Sequence, residues 1–353
     1  MSADMKAAVF VEPGRIEVHT VPRPTIEKPR DAIVRIVRAC VCGSDLWWYR
    51  GISKRAQGSL VGHEAIGVID EVGDDVRSLK PGDFVIVPFT HACGECAACR
   101  RGFDANCANA EPGGNAGYQG EYLRVYNCET SLVAVPGDPK RFDEAQLASL
   151  LTLSDVMATG YHAARSARVS SGGTAVVVGD GAVGLCGVLS ASMLGAERII
   201  AMSRHADRQQ QALRFGATDI VAERGDEAIE RVMELTGGAG ADSALECVGS
   251  AQSTLTALGC VGAGGAVGRV GVPHVGEGDV DLNALFWKNI TLSGGPASVA
   301  TYDREVLLDA VLDGRITPGE VFTASFDLAD IADAYAAMDE RQAIKSMVRI
   351  SEI

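Results

Sequence analysis

Short apolar runs separated by turn residues dominate the first half of the chain. The runs AAVFV, AIVRIVRA, AIGVIDEVG and DFVIVPF are bounded by Gly, Pro or charged residues. Apolar runs of this length with such borders are typical of β-strands. The pattern therefore predicts a β-rich region that extends to about residue 155.

The pattern changes after residue 170, where apolar runs alternate with segments of helical length. The runs TAVVVG, RIIAM, DIV, ALECVG and GAVGRVG recur in this order, AVGLCGVLSASMLGA follows the first of them, and NITLSG closes the series. Strands that alternate with helices predict βαβ units and a doubly wound parallel sheet. The tail from about residue 297 predicts two helices, TYDREVLLDAVLDG and LADIADAYAAMDE, and a final strand, KSMVRIS.

These two patterns predict an α/β protein with two domains. The chain has 353 residues, which exceeds the size at which single cores usually stop growing. We place a β-rich domain at residues 1–155 and 296–353, and a dinucleotide-binding domain at residues 156–295.

Charge and hydropathy narrow the class of protein. The net charge of −14 disfavours binding to nucleic acids or to anionic membranes. No apolar run reaches the roughly 18 residues of a membrane helix, and the N-terminus lacks the apolar stretch of a signal peptide. We therefore expect a cytoplasmic protein, in which clustered cysteines bind metal rather than form disulfides.

A glycine-rich loop lies between the first predicted strand and helix of the second domain. The stretch VVVGDGAVGLCG matches the G-x-G-x-x-G pattern, whose glycines permit a tight turn, close approach of a pyrophosphate and helix–strand packing. A chance match in a glycine-rich chain is the alternative. We assign four residues of the loop to cofactor binding: Gly179, Gly181, Val183 and Gly184.

The end of the next predicted strand bears on the choice of cofactor. NAD sites usually place an acidic residue there to bind the ribose 2′-hydroxyl, whereas this chain has Ser203 and Arg204, with Arg208 one helical turn later. A hydroxyl and guanidinium groups suit a 2′-phosphate. We therefore expect NADP rather than NAD, with Arg204 as an ordinary surface charge as the alternative. Other strand ends predict further cofactor contacts at Val248, Gly271 and Val272.

Four cysteines in the first domain are spaced C-x2-C-x2-C-x7-C. They are Cys93, Cys96, Cys99 and Cys107. Four thiolates in one loop suit a tetrahedral zinc site, and an iron–sulfur cluster is the alternative. A four-thiolate site leaves no position for substrate, so we expect its role to be structural.

The motifs CGSD, GHEAIGVIDEVG, KPGDFVIVPF, the four-cysteine loop and GDGAVG occur in this order. Together they resemble the zinc-dependent medium-chain alcohol dehydrogenase family. The resemblance implies a GroES-like catalytic domain beside a Rossmann domain, two zinc ions per chain and a homodimer or homotetramer. It also implies hydride transfer between a nicotinamide cofactor and an alcohol, aldehyde or ketone.

The resemblance also implies a second, catalytic zinc site. It assigns Cys42, His63 and Asp155 as ligands, with Glu64 as a neighbouring or transient fourth ligand and Asp45 as the acid that orients the histidine. A helix cap is the alternative role for Asp155. In this family the zinc acts as a Lewis acid on the substrate oxygen.

Several residues near these ligands have roles that the resemblance only suggests. Ser44 resembles the hydroxyl that takes the alcohol proton, with a turn serine as the alternative. Trp47 stands where many relatives have a relay histidine, and an indole cannot relay a proton. Trp47, Trp48 and Phe89 are candidates for the wall of a substrate pocket, and core packing is the alternative for the tryptophans.

Three alternatives remain open at this point. Lys345 resembles a basic residue that reaches the cofactor pyrophosphate, or it is a solvated lysine. The substrate is a simple alcohol or carbonyl compound, or else a polyol, sugar alcohol or amino alcohol. A non-catalytic zinc-binding interaction protein is the alternative from another class, which the acidic charge and the glycine-rich loop disfavour.

Overall fold

The computed structural model describes residues 4–111, 116–273, 280 and 282–353. These residues form two compact units, one of Met1–Asp155 with Ser298–Ile353 and one of Val156–Ala297. The first unit contains a seven-stranded sheet and the separate two-stranded sheet β1-β2, the second contains a six-stranded sheet, and the buried apolar clusters also belong to one unit or the other.

The strands are numbered along the chain, and most coincide with the apolar runs of the sequence. Their bounds are β1 Asp4–Glu12, β2 Arg15–Pro22, β3 Ala32–Cys40, β4 Ala65–Val72, β5 Phe84–Val87, β6 Tyr122–Val125, β7 Val133–Ala134, β8 Thr174–Val178, β9 Arg198–Met202, β10 Asp219–Val221, β11 Ala241–Glu246, β12 Val261–Arg269, β13 Thr291–Gly294, β14 Phe322–Asp327 and β15 Lys345–Arg349.

The α-helices of the described residues are numbered in the same way. Their bounds are α1 Asp45–Tyr49, α2 Ala97–Arg100, α3 Cys128–Ser131, α4 Glu144–Thr152, α5 Val156–Ser166, α6 Ala182–Met193, α7 Ala206–Arg214, α8 Asp226–Leu235, α9 Ala251–Cys260, α10 Leu282–Lys288, α11 Val299–Tyr302, α12 Leu308–Leu312 and α13 Ile331–Asp339. None of the helices in the described residues has both the length and the apolar character needed to cross a membrane.

The sheet of the first unit is built around β3. Its seven strands follow the order β14-β15-β3-β4-β5-β7, and β6 also pairs with β3. All but one of the β3 residues are buried, because the strand lies in the middle of the sheet and is covered on both faces. The chain segment that follows β3 is therefore fixed to the most buried part of the unit.

The sheet of the second unit is parallel and has the order β10-β9-β8-β11-β12-β13. The order reverses between β8 and β11, because the chain runs outward from β8 to one edge and returns to the other side of it. Ligands of open parallel sheets bind at the carboxyl ends of the strands beside such a reversal. The glycine-rich loop follows β8 and therefore lies at this point.

Two segments of the C-terminal tail differ from the sequence prediction. The strand β14 lies between the two predicted helices of the tail, where the sequence analysis names no strand, although its partly buried and exposed residues alternate as in an edge strand. The predicted helix TYDREVLLDAVLDG is interrupted by a π-helical turn at Asp303–Leu307, between α11 and α12.

Candidate active site and cofactor loop

Cys42 lies two residues beyond β3 and is fixed by the start of α1. Its side chain is buried, and its backbone N–H donates to Asp45 Oδ2 at 3.1 Å. The other carboxylate oxygen of Asp45 lies 3.4 Å from His63 Nδ1. Asp45 is the first residue of α1, so one buried carboxylate holds two predicted metal ligands in place.

A tight turn before β4 positions His63. Gly62 has a φ of +85°, and a Cβ at this position would lie 2.5 Å from Gln119 Cγ. Gln119 is fixed in turn, because it donates to the Cys40 carbonyl at 2.9 Å and accepts from the Tyr335 hydroxyl at 3.0 Å. Only glycine fits this turn without strain, and the sequence analysis did not identify the contact.

The four side chains predicted for the catalytic zinc meet at one point. Cys42, His63, Glu64 and Asp155 each offer a ligand atom, and these atoms all lie within 4.8 Å of one another. Asp155 Oδ2 is 3.5 Å from His63 Nε2 and 3.8 Å from Cys42 Sγ. A thiol, an imidazole and a carboxylate are the donors of catalytic zinc sites, so these residues fit a zinc ion.

Burial and charge determine how readily these donors lose their protons. Burial lowers the pKa of His63, but the charges of Asp45 and Cys42 outweigh burial and hold the pKa well above its usual value. Burial raises the pKa of the Cys42 thiol, and the charge of Glu64 raises it further. Protons and a metal ion compete for such donors, so metal binding releases protons.

Lys345 corrects a sequence prediction. Its side chain is 1% exposed, and its Nζ lies 2.7 Å from Glu64 Oε1 and 3.2 Å from the Val41 carbonyl. A solvated lysine is therefore wrong. We also withdraw the pyrophosphate contact, because the ammonium group is enclosed in the first unit and holds the buried carboxylate beside His63. The charges of Cys40, Glu64 and Cys42 outweigh the opposing effect of burial and hold the pKa of Lys345 well above its usual value.

The aromatic residues near the ligands divide into two groups. Trp48 is core: its ring lies 5.4 Å from Phe10 and 5.6 Å from Tyr335, so its predicted pocket role is wrong. The Phe89 ring lies edge-on to His63, with 6.3 Å between the ring centres. Trp47 is only partly buried, and its pocket role stays a prediction.

Ser44 precedes α1 and is partly buried. Its hydroxyl makes no capping hydrogen bond to the helix. The helix start therefore does not occupy the group that is predicted to take the alcohol proton.

The four-cysteine loop also gathers its donors. The ligand atoms of Cys93, Cys96, Cys99 and Cys107 lie within 4.8 Å of one another. Backbone N–H groups point at the sulfurs, including Glu95 to Cys93 at 3.5 Å. Backbone N–H groups of Cys99 and Ala108 lower the pKa of Cys96 to about 6, whereas burial and the Cys96 side chain raise that of Cys99 to about 12. Thiolates that accept from N–H groups suit a structural zinc ion.

The glycine-rich loop has the shape that a dinucleotide requires. A Cβ at Gly184 would lie 1.9 Å from the Gly179 carbonyl oxygen, whereas a Cβ at Gly181 would meet no atom within 4 Å. The absence of side chains at Gly179 and Gly184 lets α6 pack against β8. The space at Gly181 lets a pyrophosphate approach the helix N-terminus. Gly181 is the N-cap of α6 and Val183 lies in its first turn, so these residues fit a nicotinamide dinucleotide.

The residues predicted to choose the cofactor do not all face solvent. Ser203 is buried and donates to Asp180 Oδ2 at 2.7 Å. Arg208 Nη1 lies 3.3 Å from Asp180 Oδ1. Arg204 is exposed. The sequence analysis missed Asp180, although an acidic residue between the first two glycines was a visible signal.

The remaining predicted cofactor residues follow neighbouring strands. Val248 comes after β11, and Gly271 and Val272 come after β12. Both valines are exposed, at 43% and 61%. A Cβ at Gly271 would lie 2.0 Å from Gly249 N, so this glycine allows the two strand ends to approach each other. Their contacts with a cofactor stay predictions.

The chain was compared with known proteins. Residues 182–310 match the model for the zinc-binding dehydrogenase family, and residues 28–137 match the model for the alcohol dehydrogenase GroES-like domain. A probable zinc-binding alcohol dehydrogenase of Mycobacterium tuberculosis is 33% identical over 341 residues, which cover 96% of this chain and 86% of that protein. An alcohol dehydrogenase of Cupriavidus necator is 31% identical over 360 residues, covering 95% of each chain.

Solved structures give the same result. The alcohol dehydrogenase of Thermus sp. ATN1 superposes with a TM-score of 0.90 at 32% identity, covering 98% of this chain and 100% of that one. The fold and the site define a zinc-binding oxidoreductase with a GroES-like domain and a Rossmann domain. The chain belongs to the zinc-dependent medium-chain dehydrogenase family, and it is a zinc-dependent alcohol oxidoreductase that uses a nicotinamide cofactor.

Proposed function

We propose that the protein interconverts alcohols with aldehydes or ketones, with one zinc ion at Cys42, His63 and Asp155. The observation that carries this proposal is the convergence of three donor types at one point, with their ligand atoms within 4.8 Å of one another. A second zinc ion at the four-cysteine loop stabilises the first unit. A homodimer or homotetramer is part of the proposal by family resemblance alone.

The chemistry divides between the bound groups and the side chains. When bound, zinc supplies a Lewis acid for the substrate oxygen and the nicotinamide supplies the hydride acceptor. Asp45 accepts from the Nδ1–H of His63, which leaves the Nε2 lone pair for the metal. Glu64 lies beside the site and is held there by its ion pair with Lys345.

Proton transfer starts at Ser44. Its hydroxyl accepts the proton of the alcohol and passes a proton onward. Because the indole of Trp47 has no acceptor, the next carrier is water rather than a side chain at this position. Phe89 packs on His63 and provides an apolar wall, which favours substrates with an apolar group next to the alcohol carbon over polyols.

The preferred cofactor in this proposal is NADP. The support is the absence of an acidic residue at the end of β9 and the presence of Arg204 directly after Ser203. The exposed guanidinium of Arg204 suits the 2′-phosphate.

Kinetics and metal analysis test the proposed function together. We expect two zinc ions per chain, and turnover of primary or secondary alcohols with a higher kcat/KM for NADP+ than for NAD+. A higher kcat/KM for NAD+ contradicts only the cofactor assignment. A chain with a single zinc ion and no turnover of any alcohol or carbonyl compound contradicts the proposed activity.

A polyol or amino-alcohol panel should run in the same assay. A kcat/KM for sorbitol-type or amino-alcohol substrates above that for simple alcohols would replace the apolar-substrate assignment and leave the zinc chemistry unchanged.

A further inference from the structure

Asp180 places a carboxylate where the sequence rule for NAD sites seeks one. The residue lies between the first two glycines of the loop after β8, and its side chain is 21% exposed. Its Oδ2 accepts from the Ser203 hydroxyl at 2.7 Å. Because Ser203 directly follows β9, the carboxylate reaches the end of the neighbouring strand from the loop.

Asp180 also engages a cation. Arg208 Nη1 lies 3.3 Å from Asp180 Oδ1 and 3.2 Å from the Asp180 carbonyl oxygen. The side chain of Arg208 is 14% exposed. Ser203 and Arg208, two of the three residues expected to bind a 2′-phosphate, are therefore already bound to Asp180.

These contacts of Asp180 change which cofactor ribose the end of β9 can bind. A serine hydroxyl has one proton, so Ser203 cannot donate to Asp180 and to a phosphate at once. A carboxylate repels a phosphate but accepts well from a ribose hydroxyl. Arg204 is exposed and forms no ion pair within the part of the chain that the structure describes, so it is the cation that remains available.

We propose that Asp180 is a specificity-determining residue that opposes the 2′-phosphate of NADP and accepts from the ribose 2′-hydroxyl of NAD. Arg204 attracts the phosphate and Asp180 repels it, so the preference for NADP is narrow and NAD also binds. This inference rests on the proposed function only in that the loop binds a nicotinamide dinucleotide.

Binding of adenosine 2′,5′-bisphosphate and of AMP to the zinc-loaded protein tests the proposal without turnover. In Asp180→Asn we expect Kd for the bisphosphate to fall about tenfold, and Kd for AMP to rise about threefold, since the acceptor for the 2′-hydroxyl loses its charge. Asp207→Asn is the matched control, because Asp207 is exposed in the first turn of α7. It should change both constants less than about twofold.

The ratio of the two constants decides the outcome. An unchanged ratio in Asp180→Asn, or weaker binding of both nucleotides, would overturn the proposal. Asp180→Ser, which also removes the charge, must move the ratio in the same direction if Asp180→Asn does not fold. The wild-type ratio tests the NADP assignment separately: tighter binding of AMP than of the bisphosphate contradicts that assignment, whereas the shift in Asp180→Asn still reports on Asp180.

Discussion

The first unit contains two clusters of metal-ligating side chains that are built in opposite ways. The catalytic cluster draws its ligands from distant parts of the chain: Cys42 and Asp155 are buried, and His63 is partly buried. The four-cysteine cluster comes from one loop, and three of its four cysteines are partly exposed. The first depends on the fold of the whole unit, whereas the second depends mainly on its own backbone.

The two clusters also stabilise their ionised side chains in different ways. Buried ionised groups are costly unless they are paired, and Asp45 and Lys345 are the partners that the catalytic cluster uses. The cysteine loop instead relies on N–H groups directed at sulfur. Loss of a metal ligand should therefore mainly reduce turnover in the catalytic cluster and mainly reduce stability in the cysteine loop.

The largest expected effect comes from the catalytic cluster. Asp155→Ala should leave one zinc ion per chain and reduce kcat/KM by about 10³-fold or more, because it removes a ligand of the ion that stabilises the charged oxygen. Zinc analysis and steady-state kinetics measure both. Retention of two zinc ions and of turnover would show that Asp155 is not a ligand.

The buried ion pair gives the next largest effect. Lys345→Met should lower the free energy of unfolding by about 3–5 kcal/mol, because Glu64 is left buried without its cation. Denaturant unfolding measures the loss. Lys140→Met is the control, since Lys140 is exposed and its replacement should change stability by less than about 0.5 kcal/mol. Equal stability of both variants would mean that the pair is not needed.

The four-cysteine loop should respond in stability rather than in chemistry. Cys96→Ser should release one zinc ion and lower the free energy of unfolding by about 3 kcal/mol, a fall in Tm of about 6–12 °C. Well below the Tm, kcat should stay within about threefold of wild type. Glu95→Gln in the same loop is the control, since Glu95 is 70% exposed. A loss of kcat as large as in Asp155→Ala would remove the distinction between the clusters.

The smallest effect concerns a second buried carboxylate. Asp303, in the π-helical turn, is 1% exposed, and neither of its carboxylate oxygens has a hydrogen-bond partner within the described residues. Burial raises its pKa well above the usual value, and Arg304 opposes this only in part. Unlike Glu64, Asp303 has no lysine partner among the described residues, and the charge of Asp104, in the cysteine loop, raises its pKa further.

The raised pKa gives this prediction its sign. The folded state binds the Asp303 proton more tightly than the unfolded state, so wild-type stability falls as pH rises from about 4 toward the folded-state pKa. Asp303→Asn should therefore gain about 1–2 kcal/mol at neutral pH and nothing in acid. Unfolding across the pH range, with Asp309→Asn as the exposed control, measures the gain. A loss of stability at neutral pH would mean that the carboxylate is bound by a cation.

Local signals made much of this architecture predictable. The strands of the parallel sheet are short apolar runs with clear borders, and the glycine spacing identified the loop after β8. The strand β14 was missed because its sequence, FTASFD, only partly buries alternate residues at a sheet edge. The π-helical turn was missed because the apolar pattern of a helix does not record a single added residue.

The candidate site divides in the same way. The four cysteines lie close together in the sequence, so their spacing alone predicts the metal site. The contacts of Lys345 and Trp48, in contrast, involve partners far away in sequence. Lys345 meets Glu64 across 281 positions, and no pattern around either residue predicts that pairing. Gln119 was missed for the same reason, because its partners lie on other segments.

The contact between Gly62 and Gln119 limits how this sequence can change. A side chain at residue 62 needs both a smaller residue at 119 and a different backbone angle, since φ is +85° there. Single mutations therefore cannot leave this arrangement without displacing His63.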